Sequence, residues 1–274
     1  MMLFSEIVSP FNINLFHPHF RFGDQITLSS IYAHSKYNIF ENPLPDWQPQ
    51  LNTFTTCQSK DNPMRVIRAP SIGKAHEQVI QMILEKGWVL QTEDEEATVE
   101  FEEIAMQVDT PLAEPTVSPH SRFQQKFVEQ YAKDLLQGSK ASFEYDYHGR
   151  LFDWGERLTS DGQPVHVDQI AYIAEKLRSS PVSRRAIAIT WNPVIDEKLD
   201  DCPCLQLIQC VLRDGKLNMR VIFRSNDMLT AAGANMYALV QLQKSIADQL
   251  GVPCGTYTHI SDRKSTRLNS SHRL

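Results

Sequence analysis

Residues Cys204–Ser225 read CLQLIQCVLRDGKLNMRVIFRS, two runs of alternating apolar residues on either side of Asp214-Gly215. Asp-Gly between such runs predicts a β-hairpin with a two-residue turn, because both central positions need φ above zero. With the turn closed there, the numbers of facing residues sum to 429. Leu217, Met219, Val221 and Phe223 then share a face with Leu212, Cys210, Ile208 and Gln206, a mostly apolar surface suited to a core. The same register sets Cys204 opposite Ser225 at the open end, so a thiol meets a hydroxyl where the core gives out.

Working outward, Met64–Arg68 reads as a strand, and Ser71 as the cap of a helix carrying Ile72, Val79, Ile80, Ile83 and Leu84 before Gly87. Thr98–Val108 alternates like one strand, ended by Asp109-Thr110-Pro111. Ser121–Gln137 has the helical stripe Phe123, Phe127, Tyr131, Leu135. A strand pair is expected around Phe143–Trp154, a helix over Val167–Leu177, a buried strand over Arg185–Trp191 and a long helix over Asn235–Leu250, closed by Gly251. Strands and helices interleave without a strict βαβ rhythm, which predicts an α+β fold: a layered mixed or antiparallel sheet with packed helices.

The chain has 274 residues, 42% hydrophobic and 22% charged, ordinary for a globular protein. No apolar run approaches the roughly 18 residues of a membrane helix, so no membrane partner is expected. A net charge of −6 argues against a broad nucleic-acid face, and the balance is uneven. The last twelve residues hold Arg263, Lys264, Arg267 and Arg273 and no acid, leaving −10 for the rest. Any phosphate site is therefore a local cluster of arginines. The N-terminus lacks a basic segment before its apolar residues, so no signal peptide is read and a cytoplasmic location is expected. Five cysteines, an odd number, suit thiols rather than a disulfide framework, and Cys202-Pro203-Cys204 with Cys210 lacks the second pair of a structural zinc site.

Residues 1–63 hold ten of the 25 aromatic residues and six of the 15 prolines without sustained periodicity. They read as a poorly structured extension or a non-native upstream segment, with the domain spanning 64–262. Residues 263–274 read as an appended basic tail.

Several residues carry candidate chemistry. Cys204 sits after a proline at a strand mouth beside an Arg-Ser pair; an arginine there raises the thiolate fraction, and the thiolate is the nucleophile. Arg184, Arg185 and Arg224 suit a phosphate dianion through charge-assisted bonds. Arg184 and Arg185, being adjacent, can share one phosphate only where they precede the regular strand. Asn235 both donates and accepts, so it can pair with a ring edge that offers an acceptor and a donor, or it caps the helix that follows. Trp154 on its own reads as core, and Asp227 as a turn residue.

Ser183-Arg184-Arg185, Trp191-Asn192, Pro203-Cys204, Arg224-Ser225-Asn226-Asp227 and Asn235 resemble the motifs of the thymidylate synthase family in their order, with twenty residues from Arg184 to Cys204 and twenty from Cys204 to Arg224. The resemblance covers about Met64 to Asp262 and lies closest to the archaeal-type branch. It implies a Cys204 thiolate that adds to C6 of dUMP. It also implies a methylene-carrying reduced pterin as co-substrate, either methylenetetrahydrofolate or methylenetetrahydromethanopterin, and a homodimer in which Arg184 and Arg185 reach the partner's phosphate site beside Arg224 and Ser225. Asp227 would line the base pocket and Trp154 would pack on the pterin. A pyrimidine-nucleotide hydroxymethylase, or a nucleotide-binding protein without turnover, are the alternatives. The chain departs from the family with Leu205 in place of His, Phe223 in place of Gln, and no His-x-Tyr element after Asp262. Glu77 and the acidic stretch Glu93–Glu103 both offer a general acid/base.

A chain beginning at Met64 is expected to melt within a few degrees of the full-length chain in a thermal unfolding scan. A large drop would instead make residues 1–63 part of the stabilising structure.

Overall fold

The hairpin is the centre of the molecule. In the computed structural model β8 (Leu205–Arg213) and β9 (Lys216–Phe223) pair antiparallel, with Leu212 facing Leu217, Cys210 facing Met219 and Ile208 facing Val221. Asp214 and Gly215 turn the chain with φ of 50° and 71°, the left-handed region that this turn needs. The structure describes residues 64–261, apart from 92–96, 102, 120, 122, 140–146, 159–163 and 200–201, together with Thr266–Arg267. The expectations for residues 1–63 lie outside the described residues.

Around the hairpin the elements run β1 (Arg65–Ala69), α1 (Ile72–Lys86), β2 (Trp88–Gln91), β3 (Ala97–Glu100), β4 (Ile104–Val108), α2 (Gln125–Gln137), α3 (Tyr147–Phe152), β5 (Trp154–Leu158), β6 (Pro164–Val167), α4 (Gln169–Ser179), β7 (Ile187–Ile189), α5 (Pro193–Asp196), then β8 and β9, α6 (Ala232–Leu250), β10 (Cys254–Ser261) and β11 (Thr266–Arg267). The main sheet is mixed, in the order β1-β4-β10-β9-β8-β7. Its pairs β1·β4 and β9·β10 are parallel and the others antiparallel. This is the expected α+β architecture.

Register runs continuously across the six strands. On the inner face Ile67, Met106, His259, Val221, Ile208 and Ala188 form one row. α1 packs against β1 and β4, α6 against β9 and β10, and α4 against β7 and β8. On the outer face Val66, Ala105, Ile260, Ile222, Leu207 and Ile189 form an equally continuous apolar row. Val66 there is 63% exposed. No described helix is long and apolar enough to cross a membrane.

Three local expectations are corrected. The alternation over Thr98–Val108 breaks at Phe101–Glu103, where Glu103 takes φ 31°, so β3 joins a small sheet with β2 and β11 while β4 joins the main one. The strand pair around Phe143–Trp154 is instead α3 followed by the β5·β6 hairpin. Within it Arg150 and Leu151 are buried, and those tertiary contacts outweigh local propensity. Ser71 occupies the N-cap position of α1, but its side chain makes no cap bond. Within residues 263–274, read as a tail, Thr266–Arg267 pairs with Thr98 and Val99.

A buried ion pair knits the layer behind the hairpin. Arg150 Nη1 and Nη2 each donate to Asp196 at 2.7 Å, and Nη1 also donates to the Thr190 carbonyl at 2.6 Å. The Asn192 N–H adds a bond of 2.6 Å to the same carboxylate. Burial alone would push the Asp196 carboxyl up, but the bonds from Arg150 and Asn192 outweigh it and hold it below its ordinary value. The resulting stability is present above the ordinary carboxylate pKa and is lost as pH falls through the depressed folded value. Asp196→Ala leaves Arg150 uncompensated and is expected to cost about 3–5 kcal/mol in a denaturant titration. A loss under about 1 kcal/mol would show that the pair is solvent-screened.

Candidate active site at the mouth of the hairpin

Cys204 lies one residue before β8, and its position depends on a change of register. Below the mouth, partners sum to 429, as the turn dictates, but Leu205 pairs with Phe223, and the shift falls between Leu205 and Leu207. Gln206 is the extra residue, a β-bulge on β8. Cys204 is thereby opposite Arg224 rather than Ser225, and the Arg224 N–H donates to the Cys204 carbonyl at 2.8 Å. β9 ends at Phe223, which releases Arg224 from strict alternation.

The arginine then turns back on the cysteine's own loop. Arg224 Nε donates to the Pro203 carbonyl at 3.0 Å and Nη2 to the Cys202 carbonyl at 2.7 Å. Gln206 Nε2 donates to the same Pro203 oxygen at 2.7 Å. The Leu205 N–H donates to the Tyr147 hydroxyl at 3.0 Å, and the Thr190 hydroxyl donates to the Leu205 carbonyl. The half-buried Cys204 thus follows two carbonyls that the Arg224 guanidinium binds, in a segment held by the side chains of Arg224, Gln206, Tyr147 and Thr190. Cys210, on the same strand, is the contrast: burial pushes its thiol up to about 12, so it stays an inert core group.

Below Cys204 is a narrow crevice with room for about one water molecule, ≈ 10 Å³, lined by Tyr131, Leu135, Tyr147, Leu205, Phe223, Asn235, Ala238 and Leu239. Asn235 is not a helix cap. α6 begins at Ala232 with Ala231 as cap, and the Asn235 N–H already bonds the Ala231 carbonyl. Its side chain instead accepts from the Tyr131 hydroxyl at 2.7 Å and donates to Asn226 Oδ1 at 3.3 Å. Ser225 is buried next to Arg224. Asp227 folds its own loop, accepting from the N–H groups of Leu229 and Thr230 at 2.9 Å each.

Arg184 and Arg185 do precede β7 and are exposed. They are not beside Cys204 of the same chain. The Arg184 carbonyl accepts from Gln209 Nε2 at 3.2 Å, and Gln209 lies five residues along β8 from Cys204. That is about 16 Å at 3.3 Å per residue. Trp154 is 2% exposed with the Arg150 guanidinium 5.6 Å above its ring.

Of the acidic candidates, Glu77 is on α1 beside His76, whose Nε2 donates to the Met228 carbonyl at 2.6 Å in the loop after Asp227. Glu77 accepts from the Ser118 hydroxyl at 2.8 Å. Burial lowers the His76 pKa, and its bond to the Met228 carbonyl and the charges of Glu77 and Asp227 act against that shift. Glu100 is in the small sheet, bonded to the Thr98 hydroxyl at 2.7 Å. Glu93–Glu96 and Glu102 lie outside the described residues. The sequence carries little signal for Tyr131, a phenol on a helical stripe, and for Tyr147, a phenol within an expected strand pair, as site residues. Among the described residues no three His, Cys, Asp or Glu side chains cluster in a way that could hold a metal ion.

The thymidylate synthase family model matches residues 126–265, which takes in Cys204, Arg224, Ser225, Asp227 and Asn235 but not His76, Glu77, Glu100 or Ser118. A provisionally named thymidylate synthase of Methanocaldococcus jannaschii is 43% identical over 201 residues, 72% of this chain and 87% of that protein. A provisionally named thymidylate synthase of Methanosarcina barkeri is 36% identical over 199 residues, again 72% and 87%. A deoxyuridylate hydroxymethyltransferase of Bacillus phage SP01 is 32% identical over 142 residues, 50% of this chain and 37% of that protein. Matched along its central sheet, its hairpin mouth and its long helix, the chain belongs to the thymidylate synthase family.

Proposed function

We propose that the chain is a thymidylate synthase that methylates dUMP to dTMP with a one-carbon unit and a hydride from a methylene-carrying reduced pterin, whether folate or methanopterin. One observation carries the reading: the bulge at Gln206 puts Arg224 across from Cys204, and Leu205, the residue after that cysteine, lines a crevice together with Asn235. In this reading the Cys204 thiolate adds to C6 of uracil, and the electron pair displaced from the ring double bond makes C5 the nucleophile. Arg224 and Ser225 hold the phosphate, Asn235 reads the base edge, and the Asp227 loop lines the pocket. Glu77, beside His76, whose Nε2 donates to the Met228 carbonyl after Asp227, and the acidic stretch Glu93–Glu103 are the candidates to move the proton. In the second reading, a hydroxymethylase, water rather than hydride resolves the one-carbon adduct. The phage relative gives that alternative its weight.

A homodimer completes the site. Arg184 and Arg185 are too far from their own Cys204 to share its phosphate, while the outer face of the sheet carries an apolar row across all six strands. Packing two such faces together would bury the rows and bring each arginine pair to the partner.

Cys204→Ala is expected to abolish turnover of dUMP while leaving its noncovalent binding within a few-fold, since the thiol supplies a bond and the arginines supply affinity. Absorbance of the oxidised pterin separates the two enzyme readings, because only the synthase reaction produces it. Wild-type turnover by Cys204→Ala would end the nucleophile assignment. The dimer is tested by mixing two inactive chains, Cys204→Ala and Arg185→Ala. Roughly a quarter of wild-type activity should return, because half the dimers are mixed and each of those keeps one intact site. No recovery after confirmed subunit exchange would place the arginines in their own chain's site or outside any site.

A further inference from the structure

Two thiols flank Pro203 at the hairpin mouth, and the reaction proposed above uses only one of them. Pro203 is buried, while Cys202 and Cys204 on either side of it are half-buried. The proline ring thus anchors the segment inward, and the two cysteines share its open side. Both are thiols rather than halves of a disulfide.

The backbone between them is drawn in. Two residues apart in a fully extended chain, Cα atoms lie about 6.6 Å from each other, at the far edge of the roughly 4.4–6.8 Å that a disulfide bridges. An extended chain also sends successive carbonyls to opposite sides. Here the carbonyls of Cys202 and Pro203 both meet one edge of the Arg224 guanidinium, at 2.7 Å from Nη2 and 3.0 Å from Nε, and the backbone bends at Cys204. That shortening brings the pair within bridging distance. The other described cysteines do not compete. Cys210 lies within β8, fully buried, with its thiol pushed up to about 12. Cys254 pairs with Leu217 beside the turn of the hairpin, the end away from Cys204.

We propose that Cys202 and Cys204 are a modification site, a reversible disulfide in which Cys202 resolves the oxidised nucleophile and switches the enzyme off. This rests on the reading of Cys204 as a reactive thiolate. The oxidant is a hydroperoxide. The Cys204 thiolate attacks one peroxide oxygen, the O–O bond breaks, hydroxide leaves, and the sulfur, oxidised by two electrons, becomes a sulfenic acid. Cys202 then attacks that sulfur as its own thiol proton departs. The S–S bond forms, the S–O bond breaks, and the leaving hydroxide takes the proton to become water. A dithiol reverses the bond by two exchanges and restores both thiols. So small a ring, closed over a proline, is strained, and strained disulfides are the readily reduced ones. Without Cys202 the sulfenic acid is left to a second peroxide, which carries it to the irreversible sulfinic acid.

The test exposes the full chain, without nucleotide, to hydrogen peroxide and maps the peptide that carries residues 202–204. In the wild type that peptide should lose two hydrogens and take up no alkylating reagent, and dithiothreitol should return both thiols along with turnover of dUMP. In Cys202→Ser the same exposure should add two oxygens at Cys204, and the fraction of its own untreated activity that dithiothreitol restores should fall about tenfold below that of the wild type. An unmodified or sulfinic Cys204 in the wild type, a link from Cys204 to any other cysteine, or a Cys202→Ser protein that recovers as fully as the wild type overturns the proposal. The wild-type peptide map is decisive even where Cys202→Ser does not fold. Because that map needs no turnover, a chain that forms the link but never methylates dUMP overturns the dUMP reading alone.

Discussion

Everything at the hairpin mouth depends on a single extra residue. With unbroken pairing, Ser225 would face Cys204 and the Arg224 side chain would leave on the opposite side of the sheet. The shift at Gln206 lowers the partner sum by one, so Arg224 meets Cys204 and its guanidinium returns to the carbonyls of Cys202 and Pro203. A bulge gives up ladder bonds, and here side chains replace them: Gln206 to Pro203, Thr190 to Leu205, and Leu205 to Tyr147. At about 0.5–1.5 kcal/mol each, these bonds are comparable with what the bulge gives up.

Those substitute bonds need their own supports in place. Thr190 lies just after β7, and its carbonyl is held by Arg150, which also grips Asp196. Gln169 at the start of α4 binds the carbonyls of Arg150 and Ile189 and accepts from the Ile189 N–H. The Arg150–Asp196 pair contributes less through net energy, since desolvation offsets much of its attraction, than through the geometry that it fixes. It ties α3, α5 and the end of β7 into one block, from which Thr190 and Tyr147 reach the Cys204 loop.

The sequence showed the hairpin because one of its faces is buried, and a burial requirement with period two leaves a readable alternation. It also showed Arg184 and Arg185 ahead of their strand, and a thiol beside an Arg-Ser pair. It concealed α3, because Tyr147-His148-Gly149 carries no helical stripe and the reason for the helix, the burial of Arg150 against Asp196, is tertiary. It concealed the break at Phe101–Glu103, since β3 and β4 both alternate and only Glu103's backbone shows that the chain changes sheets. Tyr131 reads as a stripe aromatic, and Tyr147 falls in an expected strand; a phenol on an apolar face signals a wet crevice only once its partner is known. The bulge could be inferred from the conflict between alternation and a shared site for Arg224 and Cys204, but the conflict could not say which strand carries the extra residue.

Leu205 and Phe223, where the family pattern has His and Gln, make sense together. They face each other across the bulged register and both line the crevice, so this part of the site is apolar on two sides. The side chains on that lining that can hydrogen-bond are those of Tyr131, Tyr147 and Asn235. Phe223 cannot hydrogen-bond, but it stacks on His259 and so buries the histidine that meets Asn226, itself bonded to Asn235. The two replacements therefore move polarity from the crevice wall to the layer beneath it. Low local dielectric strengthens fully satisfied hydrogen bonds and makes any broken link costlier, so an apolar wall and the bonded polar layer beneath it are one arrangement rather than two.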